Sequence, residues 1–180
     1  MPYVDPPDFT GGTTGLAADV QILTDDIRYL KGIVDGIVFS GVQVSRSSNQ
    51  SLASGTPELI SWTAEQIDFG NWWSTGTNIV VPAAAFPVGI TTIGVLAFGF
   101  LRYAANATGV RRIKLLKNGT SFGSRTLSAL DGGDNTDVPI TEFTDADAGD
   151  VLTVEGYQTS GGALNVTEAA VTFLRYGIIA

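Results

Sequence analysis

The stretch Gly89–Tyr103, GITTIGVLAFGFLRY, carries no charge until Arg102 and is apolar on both of its strand faces. At the two-residue period of a strand, Ile90, Leu96, Phe98 and Phe100 fall on one face, and Ile93, Val95, Ala97 and Leu101 on the other. Ala169–Ile178 repeats the pattern, with Val171 and Phe173 opposite Ala170, Leu174 and Tyr176. An antiparallel sandwich buries only one face of each sheet within its own chain. A second apolar face must then be covered by something else. The economical cover is the same sheet of neighbouring subunits. The alternative is a strand wholly inside a barrel.

The uncharged run extends back to Ile79 and is long enough to cross a bilayer. It contains Pro82, Pro87, Gly89, Gly94 and Gly99, so it reads as a turn and a buried strand, with no membrane insertion. Further strand-like segments recur at Phe39–Arg46, Glu58–Thr63, Thr77–Val81, Val110–Lys117, Ser121–Leu130, Val138–Phe143, Val151–Gln158 and Ala169–Ile178. Many short strands between Gly, Asn and Asp turns predict an all-β antiparallel sandwich or barrel. Lys117-Asn118-Gly119-Thr120 predicts a two-residue hairpin, because Asn-Gly tolerates the positive φ of a type I′ turn.

Upstream, the period changes. In Gly15–Ile37 the apolar residues Leu16, Val20, Leu23, Ile27, Leu30, Val34 and Ile37 step alternately by four and three. A 3.5-residue repeat keeps one seam facing a partner helix and predicts a short parallel coiled coil. Asp26 and Lys31 sit at g and the following e, placed for an interchain ion pair. β-branched a positions with Leu at d favour two strands, while Ile33 and Ala17 widen the apolar strip. An amphipathic helix folded on its own domain is the alternative. Gly32 and Gly36 each cost such a helix about 1 kcal/mol against Ala. A helix this short is marginal alone, so the domain C-terminal to it must set the oligomer number.

Before the helix, residues 1–14 hold Pro2, Pro6, Pro7, Gly11 and Gly12, which exclude regular structure. Tyr3, Val4 and Phe9 are the apolar side chains there, suited to an extended anchor peptide that orders on docking; a frayed terminus is the alternative. The chain thus divides into an anchor at 1–14, a stalk at 15–37 and a head domain at 38–180.

Composition narrows the function. The 180 residues carry a net charge of −8 and contain neither Cys nor His. An acidic chain repels phosphate backbones, which argues against a nucleic-acid partner. Without Cys there is no disulfide or thiolate metal site, and without His the usual general base is missing. No GK[ST] phosphate loop and no cleft-like carboxylate pair is present, so we expect no enzyme and no cofactor. The N-terminus lacks the basic and apolar segments of a secretory signal. Two acidic loops, Asp131–Asp137 and Asp145–Asp150, cluster hard oxygen ligands of the kind calcium takes, but their spacing is not that of an EF-hand; solvated turn carboxylates are the simpler reading, and no metal site is assigned. Trp72 and Trp73, after Gly70-Asn71, could stack on sugar rings, or one of them could plug the sandwich. The N-x-[ST] triplets at Asn49, Asn106, Asn118 and Asn165 are chance matches in a Ser/Thr-rich chain.

From Gly41 onward the chain resembles the trimeric jelly roll of the complement globular head and tumour necrosis factor superfamily, in the form carried on bacteriophage fibres. The residues that carry the resemblance are SNQSLASGTPELISW (Ser48–Trp62), IDFGNWW (Ile67–Trp73), NIVVP (Asn78–Pro82), KNGT (Lys117–Thr120) and AGDVLTVEGYQTSG (Ala148–Gly161). They occur in the family's order. After Pro82 the family's Gly-x-Tyr is replaced by AAAFPVGITTIG. The resemblance implies an antiparallel jelly-roll sandwich, preceded here by the coiled-coil helix. It also implies a parallel homotrimer with Leu96, Phe98, Phe100 and Phe173 lining the threefold axis. The Pro/Gly peptide followed by a short helix is similar to the virion-attachment end of phage fibres. That implies assembly in a host cytoplasm, docking on another virion protein through Tyr3, Val4 and Phe9, and a head that meets a host-surface glycan or protein.

The stalk can be tested by one substitution. Ile27→Asp brings charges together in the seam and is expected to loosen the helices while the trimer, set by the head, persists in light scattering. A monomer from this one change would mean that the stalk sets the association.

Overall fold

The computed structural model describes residues 40–87, 89–130 and 134–178. The stalk and anchor residues, Leu16 to Ile37 and Tyr3, Val4 and Phe9, lie outside them. Among the described residues, eleven strands form two antiparallel sheets: β1 Gly41–Arg46, β2 Gln50–Leu52, β3 Glu58–Leu59, β4 Ala64–Phe69, β5 Ile79–Val80, β6 Thr92–Tyr103, β7 Val110–Lys117, β8 Thr120–Ser128, β9 Thr136–Asp147, β10 Val151–Gln158 and β11 Leu164–Ile178. The first sheet runs β4-β1-β11-β6-β9, with β2 also on β11. The second runs β3-β10-β7-β8, with β5 also on β10. Neighbours in the sheets are mostly remote in sequence, which is the jelly-roll pattern of chain crossing between two layers.

The uncharged run from Ile79 resolves into β5, a short 3-10 turn at Ala83–Ala85 and β6, so its apolar residues serve a sandwich rather than a bilayer. No described helix is long and apolar enough to cross a membrane. β7 and β10 match the segments expected from sequence, and β6 starts later, at Thr92. The Asn118-Gly119 hairpin has positive φ at both residues, 50° and 79°. β9 is longer than its apolar segment suggests, and strict alternation carries it through Asp137, Thr141 and Asp145 on the outside. β2 and β4 are strands that sequence reading missed, because each is short and mostly polar.

The two sheets close over one core. Ile93, Val95, Ala97 and Leu101 of β6 meet Val42, Val44, Val171 and Phe173 from their own sheet and Ile113, Leu115, Leu152 and Val154 from the other. Polar ties seal this sandwich. The Tyr103 hydroxyl on β6 donates to the Arg112 carbonyl at 2.6 Å and accepts from the Tyr157 amide at 3.1 Å, joining the sheets. Burial pushes its pKa well above the usual phenol value, so it stays a neutral donor. Arg111 is fully buried, and its guanidinium donates to the carbonyls of Asn106, Thr108 and Val110. Buried charge is tolerated only when so partnered. Gln158, also buried, donates to the Leu52 and Gly162 carbonyls.

Trp72 plugs the sandwich. It is buried, and its indole Nε1 donates to Ser40 Oγ at 2.9 Å. Asp68 accepts from the backbone amides of Trp72 and Trp73 and so fixes the loop. Trp73 is only half-buried, with Nε1 donating to the Gly76 carbonyl. The sugar-stacking reading is thereby lost for Trp72, whose ring faces the core. At Gly99 the chains approach so closely that an added Cβ would lie 2.2 Å from the Ala170 carbonyl oxygen and 2.7 Å from Val171 Cα.

Both features bear on stability. Trp72→Ala should cost about 3–5 kcal/mol in chemical denaturation, and Trp73→Ala clearly less. Gly99→Ala should cost about 2 kcal/mol or more, because β11 backbone and not a movable side chain is in the way. An unchanged midpoint for Gly99→Ala would contradict the close β6–β11 approach.

Candidate interaction surface

The register across the first sheet fixes which side chains share its outer face. Gly41 and Leu174 pair, Leu174 pairs with Leu96, and Leu96 with Phe143. With Phe69 opposite Gly41, one row crosses all five strands. The next row holds Ile67, Gln43, Thr172, Phe98 and Thr141, and the next Ser45, Ala170, Phe100 and Pro139. Large apolar side chains on this face lie in water: Ile67 is 48% exposed, Phe69 58%, Phe98 39%, Phe143 60% and Tyr176 71%. Single exposed apolar residues are ordinary, but contiguous rows of them mark interaction surfaces.

Leu96, Phe98 and Phe100 thus stand on the outer face, as the strand period required. Phe173 does not. It pairs with Ala97, points inward and is fully buried, so its place is the core and not a subunit contact. The alternation along β11 put Phe173 opposite Leu174; its outward neighbours are Thr172 and Leu174. The fully internal barrel strand is also excluded for β6, whose Phe98 no described part of the chain covers. Ile67, Phe69 and Phe143 belong to this face too, although sequence reasoning missed them. The signal for the first two was the pair Ile67 and Phe69 on either side of Asp68, obscured by the polar residues before it and by the bulge that shifts Glu65 opposite Val44.

The face is not flat. Near the β4–β1 edge lies a groove of about 250 Å3, with Gly41 on its floor and Ile67, Phe69 and Phe98 around it. A side chain at Gly41 would strike the Phe173 carbonyl oxygen at 2.5 Å, so the floor must stay bare. Phe143 of the edge strand β9 and Tyr176 of the central strand β11 form an edge-to-face pair, 5.4 Å between centroids. Both rings line a cleft of about 550 Å3, together with Gly94, Thr144, Asp145 and Gly177.

Charges border the apolar rows rather than interrupt them. At one end Arg102 donates from Nε to Asp137 at 2.7 Å and also pairs with Glu168. The hydrogen bond and charge of Arg102 hold the Asp137 carboxyl below its usual range. At the other end Lys117 Nζ lies 2.9 Å from Asp145 and lowers that carboxyl's pKa in the same way. Asp150 accepts from Asn118 Nδ2 at 2.7 Å, and Asp147 accepts from the Thr92 hydroxyl. Asp137, Asp145, Asp147 and Asp150 are therefore engaged in turns and ion pairs, and no cluster of three potential metal ligands occurs among the described residues. The edges are guarded as well. β9 carries Pro139 and outward acids, which discourages strand addition there.

No protein-family model and no curated protein matches the chain. Solved structures do. Murine APRIL at pH 8.0 matches with a TM-score of 0.57 at 13% identity, over 77% of this chain and 99% of that one. The structure of Eiger TNF from S. frugiperda matches with a TM-score of 0.56 at 11% identity, over 79% and 95%. The globular domain of zebrafish complement 1qA matches with a TM-score of 0.52 at 12% identity, over 78% and 98%. The described strands have the jelly-roll fold of these tumour necrosis factor-like and complement globular domains.

Proposed function

We propose that this chain is a non-enzymatic adhesion protein that works as a homotrimer, with the outer face of the β4-β1-β11-β6-β9 sheet buried between subunits. The observation that carries the reading is that face itself, with Phe98 at its centre and Phe69 and Phe143 toward its edges, all exposed in a single copy. Neighbouring copies would cover these side chains, and burying aromatics of this size is worth about 1.5–3 kcal/mol each.

Three heads on one stalk bind a surface by avidity. Weak contacts made together hold far more tightly than any one alone, provided that the spacing allows simultaneous engagement. The heptads at Leu16–Ile37 and the anchor side chains Tyr3, Val4 and Phe9 support a virion fibre, docked by its N-terminus to another virion protein and turned toward a host surface. A capsid decoration with mainly an assembly role would use the same parts. A second reading, a cellular adhesion or signalling head, is favoured by the fold likeness to APRIL, Eiger and complement 1qA. Electron microscopy of source particles with a tag on Ala180 separates the two readings. Labelled particles support the fibre, and unlabelled ones oppose it. Binding of the labelled protein to host cells separates adhesion from decoration.

Phe98→Asp is expected to convert the trimer to folded monomers in sedimentation, with near-native strand content by circular dichroism. A trimer that survives Phe98→Asp would place the subunit contact elsewhere.

A further inference from the structure

Every described Lys and Arg but one is engaged. Arg46, Arg111 and Arg175 donate to backbone carbonyls. Arg102, Arg112, Lys114 and Lys117 pair with carboxylates. Arg125, on β8, has neither kind of partner among the described residues. In a chain of net −8, a guanidinium left without a carboxylate runs against the electrostatic pull of its surroundings. Arg125 lines a recess of about 240 Å3 together with Pro139, Ile140, Thr141 and Glu142 of β9. β8 ends the second sheet and β9 ends the first, so the recess lies at the side of the sandwich. It shares no lining residue with the Gly41 groove or the Phe143 cleft. Glu142 shares the recess but does not pair with Arg125. Its stem lies over the bare backbone of Gly123, where an added Cβ would fall 2.3 Å from Glu142 Cγ. The side chains of Thr141 and Glu142 also lack hydrogen-bond partners among the described residues. The recess thus holds a cationic fork, a hydroxyl and a carboxylate, all free, beside the apolar Pro139 and Ile140.

We infer that this recess binds a sugar that carries a carboxylate, which rests on the adhesion reading above and gives it a ligand class. The planar guanidinium of Arg125 matches a carboxylate with two parallel N–H donors. Ring hydroxyls donate to the Glu142 carboxylate and exchange hydrogen bonds with the Thr141 hydroxyl. Pro139 and Ile140 meet the C–H face of the ring. The volume suits one sugar ring, being below the range of about 300–1,000 Å3 that holds drug-sized ligands. A phosphate or sulfate ester brings only anionic oxygens to Glu142 and is repelled there. A neutral sugar leaves Arg125 as it is, without a counter-charge. One such recess per subunit also meets the requirement of avidity, which needs several weak sites in a fixed arrangement.

Saturation-transfer NMR titration of the intact full chain tests the inference. The probes are N-acetylneuraminic acid and glucuronic acid, with N-acetylglucosamine and acetate as the neutral and the sugar-free controls. At least one acid should bind saturably, and which one does identifies the kind of surface glycan. N-acetylglucosamine and acetate should bind at least about tenfold more weakly. Arg125→Ala should weaken the acid by about tenfold or more, the scale of one lost hydrogen bond to a charged group. Arg125→Lys, which keeps the charge and loses the fork, should fall between. Glu142→Ala should weaken the acidic sugar without weakening acetate. Arg125 is exposed on an edge strand, so its variants should keep the parent's circular dichroism. An acid that binds Arg125→Ala as well as the parent, or acetate that binds as well as the acid, overturns the recess as a sugar-acid site. If neither acid binds while the labelled full chain still binds host cells, the recess is overturned and the adhesion reading stands. If neither acid binds and the labelled chain binds no host cell, both have failed.

Discussion

A β-sheet has two faces, and one further sheet can cover only one of them. In this chain the first sheet is apolar on both. Its inner side is closed by β3, β5, β7, β8 and β10 over a continuous core, and its outer side keeps Ile67, Phe69, Phe98, Phe143 and Tyr176 in water. Everything else in the head is consistent with holding that imbalance in place. Tyr103 and Trp72 tie or plug the sandwich so that the inner closure is complete. The ionic groups at the ends keep their charges paired and away from the apolar rows.

The same constraint explains why parts of the fold were legible in the sequence. β6 has no charge before Arg102, and its alternation alone separates Leu96, Phe98 and Phe100 from Val95, Ala97 and Leu101. The Asn118-Gly119 turn was readable because only a few residues accept positive φ at both central positions. Trp72 as a plug agreed with its place in IDFGNWW, and the structure adds its Ser40 partner.

The illegible parts depend on pairing rather than composition. Phe173 and Leu174 are both large and apolar, and only the register with Ala97 and Leu96 shows which one faces the core. β4 is recruited by β1, not by its own propensity, so Ile67 and Phe69 reach the outer face through a contact that local pattern does not encode. The groove depends on the absence of a side chain at Gly41, which is remote from Phe173 in sequence but packed against its carbonyl oxygen. Such placements are tertiary facts, and they decide which apolar residues form an interaction surface.

Sedimentation equilibrium of the purified full chain at micromolar concentration tests the central claim most directly. The account predicts a single species of three times the 18.8 kDa chain mass. A well-behaved species of 18.8 kDa, stable and soluble with its outer face in water, would contradict it.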